Sequence, residues 1–119
     1  MRRALLLCLL LGLPVAPSAQ PVRTASPRAL FRHYALSTCL ARALPKIAPE
    51  AEASARGYFE LGTGTPDVYR QVQTLADAYL KRPYPSQTGA DLSVMKCIDF
   101  AESPELAHLV ARSIPEHRP

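Results

Sequence analysis

Three times the chain repeats the same punctuation, a hydroxylated residue followed by proline: Ser26-Pro27, Thr65-Pro66 and Ser103-Pro104. A serine or threonine oxygen accepts one of the free backbone N–H groups that open a helix, and a proline just after it supplies a preset φ where its missing N–H costs nothing. Asp67 and Glu105 then place an acid where the positive start of a helix favours it. Pro49, followed by Glu50 and Glu52, marks another start, and Gly62, Gly64, Pro45, Pro83 and Pro115 supply stops. A chain cut this way can form short helices, and no stretch alternates with the period of a strand.

The segments between these marks carry helical patterns. From Pro27 to Ala43, Leu30, Tyr34, Ser37, Ala41 and Leu44 lie on one stripe, with Phe31, Leu36 and Leu40 beside it. So wide an apolar arc predicts a helix near the centre of the domain. A second helix, Pro49 to Glu60, is alanine-rich at first and is expected to anchor through Tyr58, Phe59 and Leu61. The third, from Pro66 to Leu80, turns Val68, Val72, Leu75, Ala76, Tyr79 and Leu80 inward. The fourth, from Asp91 to Ala101, is expected to bury Leu92, Met95 and Ile98, and the fifth, ending near Ile114, to bury Leu106, Leu109 and Val110. The expected fold is a compact all-α bundle of about five helices.

The start of the chain has the layout of a secretory signal peptide: Arg2 and Arg3, an apolar run from Ala4 to Leu13 too short to span a bilayer, then the small residues Ala16, Ser18 and Ala19. Cleavage is expected after Ala19 or Ser18, leaving one domain over residues 20–119. Removing the leader lowers the formal charge from +4 to +2. No basic run or aromatic-and-basic stripe accompanies that charge, so nothing points to nucleic acid. Nothing after residue 20 is apolar for long enough to cross a membrane. Cys39 and Cys97 are the two cysteines beyond the leader, and in an exported chain such a pair predicts a disulfide, the alternative being two separate buried thiols.

Groups for catalysis or metal binding are scattered. His33, His108 and His117 stand at no metal-ligand spacing with one another or with a cysteine. His33 and Cys39, six residues apart on one helix, face different ways, and a disulfide would remove Cys39 as a nucleophile. Glu50 with Glu52, and Asp99 with Glu102, are ordinary solvated charges. The pattern implies no cofactor, no metal and no enzyme, but a protein that works by binding. The stretch best suited to that is the connection between the third and fourth helices. It carries Pro83, Pro85 and Gly89 among the polar side chains Lys81, Arg82, Tyr84, Ser86, Gln87 and Thr88. It is either a presenting loop or a plain connector, and the turn at 62–66 is the other candidate.

Several strings are more specific than helical composition requires: ALSTCLA at 35–41, GYFELG at 57–62, MKCID at 95–99 and SPEL at 103–106. In this order, together with the spaced residues from Tyr79 onward, they resemble the immunity proteins that neutralise type VI secretion peptidoglycan amidase effectors of the fourth family. The resemblance covers about residues 30 to 112. It implies a periplasmic, all-helical protein, commonly a homodimer that forms a heterotetramer with two amidases. Such a protein inhibits a cysteine amidase by pushing a protruding loop into its catalytic groove. By position that loop is the 81–90 segment, with Lys81, Arg82, Tyr84, Ser86, Gln87, Thr88 and Gly89 as the partner-binding residues. Gln87 stands where a basic residue is expected after Ser86. A small periplasmic stress chaperone stapled by one disulfide is the alternative class. Mass spectrometry of the exported protein under non-reducing conditions should give a mass lacking the first 18 or 19 residues; an intact Met1 would exclude the cleaved leader.

Overall fold

The computed structural model describes residues 25–116; the proposed leader over residues 1–19 and His117 lie outside them. Five α-helices follow one another in chain order: α1 (Pro27–Ala43), α2 (Ala48–Leu61), α3 (Pro66–Leu80), α4 (Ser93–Ala101) and α5 (Pro104–Ser113), with a short 3-10 turn at Pro45–Ile47 between the first two. Ser26 and Ser103 act as expected, their hydroxyls accepting the N–H of Ala29 at 3.2 Å and of Leu106 at 3.3 Å. Thr65 takes the extended cap backbone without a side-chain bond. Its carbonyl instead receives the N–H groups of Val68 and Tyr69.

The wide apolar arc of α1 puts it in the middle, where it packs on all four other helices. Leu30, Phe31, Ala35 and Cys39 are almost wholly excluded from solvent. α3 contributes Val68, Tyr69, Val72, Ala76 and Tyr79, and α5 contributes Leu106, Leu109 and Val110. The Cys39–Cys97 disulfide joins α1 to α4 with a Cα–Cα distance of 5.5 Å across 58 positions of sequence.

Two helices sit differently from the sequence expectation. α2 buries Ala51 and Ala55, whereas Phe59 remains 45% exposed and Tyr58 and Leu61 are half-buried. Small residues one turn apart let its backbone lie close against α1, so the alanine-rich part is the contact itself. α4 begins at Ser93 rather than Asp91, with the Asp91 carboxylate accepting the Ser93 N–H at 2.9 Å. Its inner face is Cys97, Phe100 and Ala101; Met95 and Ile98, expected inside, are 51% and 50% exposed, and Leu92 is half-buried. The disulfide sets this rotation. Cys97 must face α1, and residues two behind and one ahead of it on a 3.6-residue period are then turned outward.

Gly62 and Gly64 are fixed by packing. A Cβ on Gly62 would collide with the Tyr69 hydroxyl, and one on Gly64 would come within 2.9 Å of the Tyr69 ring. That hydroxyl is buried without a hydrogen-bond partner. Burial raises its pKa.

Closing so long a loop stabilises the fold by about 4 kcal/mol in the chain-entropy model. Cys39→Ser should therefore lower unfolding free energy by about 2–5 kcal/mol, measured by urea titration. An unchanged midpoint would show that the bridge constrains little.

Candidate functional site

The connection from α3 to α4 is held by three sets of contacts that begin in the helices on either side. At the end of α3, the Arg82 N–H bonds back to the Tyr79 carbonyl, and the Arg82 guanidinium lies 4.0 Å over the Tyr79 ring. The same guanidinium donates to Glu105 of α5 at 2.5 Å. This contact lowers the Glu105 pKa and raises that of Arg82.

Lys96 of α4 supplies the second set. Its ammonium donates to the carbonyls of Leu80 at 3.1 Å and Arg82 at 2.7 Å. The Leu80 carbonyl is one that the end of α3 leaves without an intrahelical partner and that of Arg82 lies just beyond the cap, where a cation is also favoured by the helix dipole. The ammonium also stands 5.0 Å from the centre of the Tyr84 ring.

Tyr84 is the third. Half-buried, its hydroxyl donates to the Asp99 carboxylate at 2.8 Å and lies 3.2 Å from the Tyr79 hydroxyl. Those two hydrogen bonds, Tyr79 before Asp99, push the Tyr84 pKa well above that of a free tyrosine. Tyr84 is thus folded onto its own domain as a latch.

Beyond Tyr84 the chain makes a compact turn. The Ser86 hydroxyl accepts the N–H of Ala90 at 3.0 Å and of Thr88 at 3.3 Å. The Gly89 N–H meets the Ser86 carbonyl at 3.4 Å. Gly89 has φ of 72°, a left-handed conformation that other residues resist. Ser86 is therefore turned into the loop, whereas Gln87, Thr88 and Gly89 form its exposed tip. Lys81 is exposed at the C-cap of α3, and Arg82 is turned toward Glu105. Of the seven expected contact residues, three form the tip, three brace the loop and Lys81 stands free on its flank.

The bracing residues Lys96 and Asp99 escaped sequence reasoning, although both lie in the MKCID string on either side of Cys97. The signal was the string itself, a charged residue one before and another two after a disulfide cysteine. Among the described residues no cluster of His, Cys, Asp or Glu could hold a metal ion. His33 lies against Tyr58, the ring centres 5.1 Å apart and the planes tilted by 54°. The alternative turn at 62–66 is pressed against Tyr69 and Ile114.

Residues 29–110 match the model of the type VI secretion system (T6SS) amidase immunity protein family, Tai4. Among solved structures, the chain resembles one from the effector–immunity system Tae4/Tai4 of Salmonella typhimurium, with TM-score 0.73 and 31% identity over 80% of this chain and 97% of that one. A Tae4–Tai4 effector–immunity complex from Enterobacter cloacae contains a chain of the same fold, at TM-score 0.69 and 18% identity over 75% of this chain and 93% of that one. No curated protein sequence matches significantly.

The Arg82–Glu105 brace has a definite pH dependence. Because the folded-state pKa of Glu105 is lowered, the pairing is fully present above the ordinary glutamate value of about 4.3 and is lost as pH falls through the lower folded value. The Arg82 side-chain N–H resonance should thus shift on acidification with a midpoint below about 4.3. Glu105→Gln should abolish the shift, and a midpoint at or above the ordinary value would mean that the pair does not hold in solution.

Proposed function

This chain belongs to the amidase immunity protein family of the type VI secretion system, and from that premise we propose that it inhibits a peptidoglycan amidase effector in the periplasm, plugging the enzyme's catalytic groove with the 81–90 loop. Residues 1–19 direct export and are removed, and the domain over residues 20–119 acts by binding, with no catalysis of its own. A cysteine amidase is the partner, and its inhibition protects the producing cell and its siblings from cell-wall cleavage.

The observation that carries this reading is the loop's combination of a braced base and a free polar tip. Ordering a flexible loop on binding costs affinity. Here Lys96, Asp99 and Glu105 hold its base before any partner arrives, and Gln87, Thr88 and Gly89 remain exposed. Tyr84 then acts by fixing the direction of the tip. Gln87 offers amide hydrogen bonds where a basic side chain would offer a charge, which suits a groove of polar neutral groups.

The protein also pairs with itself, forming a heterotetramer with two amidases. The outer face of α4 supports this: Val94, Met95 and Ile98 are each about half exposed, adjacent on one helix. Covering such a cluster in a closed two-fold pair is the commonest arrangement for a homo-oligomer. Sedimentation at micromolar concentration should give twice the mass of the mature chain, and Ile98→Asp should give a monomer. A monomeric unsubstituted protein would remove the pairing.

The plug is tested by titration against a purified peptidoglycan amidase effector of the Tae4 kind. Deleting Ser86 to Thr88 should abolish inhibition while the circular dichroism spectrum and melting curve stay unchanged. Tyr84→Ala should weaken binding by about tenfold, because a tip released from Asp99 and Tyr79 must be ordered when the partner binds. Inhibition that survives the deletion would place the plug elsewhere, and the 62–66 turn would be examined next.

A further inference from the structure

A second concave region lies away from the loop. α1, α2 and the first half of α3 border an open cleft of about 720 Å³, within the size range of small-ligand sites. Its wall is aromatic: Tyr69 stands edge-on to both Tyr34 and Phe59, with ring centres 4.7 Å apart in each pair. Phe59, expected to anchor α2 in the core, instead borders this space, still 45% exposed.

Polar groups converge on the same space. Thr38 lines it, is only 4% exposed, and its hydroxyl takes no partner among the described residues. The Gln73 amide donates to the Tyr34 hydroxyl at 3.1 Å, which leaves the Tyr34 proton free for another acceptor. Three guanidinium groups border the cavity, against the single carboxylate of Glu52. Arg42 and Arg70 pair with Asp77 and Asp67, whose side chains are not part of the wall. Arg56 has no ion-pair partner among the described residues.

We infer that this cavity binds a free carboxylate carried on an aromatic or branched apolar body, the chemistry of an apolar residue at the C-terminus of a short peptide. The apolar body lies against Tyr34, Tyr69 and Phe59. The carboxylate takes the open fork of Arg56, whose planar donors match a carboxylate's two oxygens. Thr38 and Tyr34 donate to whatever acceptor reaches the depth. A phosphate fits the wall less well. Phosphate sites collect backbone N–H groups at helix starts, and here the residue at the start of α3 that borders the cavity is Pro66, which has none.

The test is a heteronuclear NMR titration of the mature protein with N-acetylphenylalanine and, separately, with its C-terminal amide. The acid should shift the amides of Thr38, Arg56 and Gln73 saturably at millimolar concentration and leave Gln87 to Gly89 unmoved. The neutral amide should bind about tenfold more weakly, because it forfeits the charge-assisted contact. Arg56→Gln, at an exposed position that leaves the melting temperature unchanged, should weaken the acid to the level of the amide. Glu52→Gln should tighten it by relieving repulsion. Equal affinity for acid and amide, no saturable shift at these residues, or an Arg56→Gln protein that binds as before would each overturn the assignment. None of these outcomes depends on inhibition by the loop, so the two readings fail separately.

Discussion

The Cys39–Cys97 bridge is the constraint on which the arrangement of the functional end depends. Both cysteines are fully buried, in the two helices that the bridge joins. α4 is only nine residues long, and a helix of that length is marginal in water by itself. Covalent attachment to the central helix fixes its rotation as well as its position. With Cys97 turned inward, Lys96 and Asp99 are carried to the side where α3 ends. There they hold the carbonyls of Leu80 and Arg82 and the hydroxyl of Tyr84. The same rotation leaves Val94, Met95 and Ile98 in solvent. One bond thus accounts for a braced loop and an uncovered apolar face.

The loop illustrates how a polar segment can be shaped without being buried. Its contacts are individually modest, since exposed ion pairs and neutral hydrogen bonds contribute little net stability. Their number and convergence matter more. Arg82 faces both Tyr79 and Glu105, Lys96 serves two carbonyls, and Ser86 closes the turn toward Gly89. Arg82 and Tyr84 are drawn toward the domain, and the tip consists of small or neutral polar groups. A partner meets a surface whose backbone direction is already set.

At the other side of the domain, alanines in α2 bring it close to α1, and the tyrosine-rich face of α3 fills only part of the space between them. Gly62 and Gly64 allow Tyr69 to sit beneath the turn that joins α2 to α3. The aromatic wall of the cavity follows from that placement, because Tyr69 is the ring that Phe31, Tyr34 and Phe59 all contact.

The helices themselves were legible in the sequence, because helix starts and stops are local chemistry. Ser26-Pro27 and Ser103-Pro104 act within a few residues of where they stand, and the stripe of α3 emerges from its own periodicity. The disulfide was the first of two readings of a pair of cysteines in a chain expected to be exported. Which face each helix buries was decided by tertiary structure wherever the local pattern was ambiguous. α4 has apolar residues most of the way round, so only the bond to α1 could choose between Met95 and Phe100. Tyr84 was expected to meet a partner, and its direction was decided by Asp99 and Tyr79, fifteen positions after it and five before it, which turn it back onto the domain. A local rule sees only neighbours along the chain, whereas the brace of the loop and the wall of the cavity are made by residues that meet only once the bundle has closed.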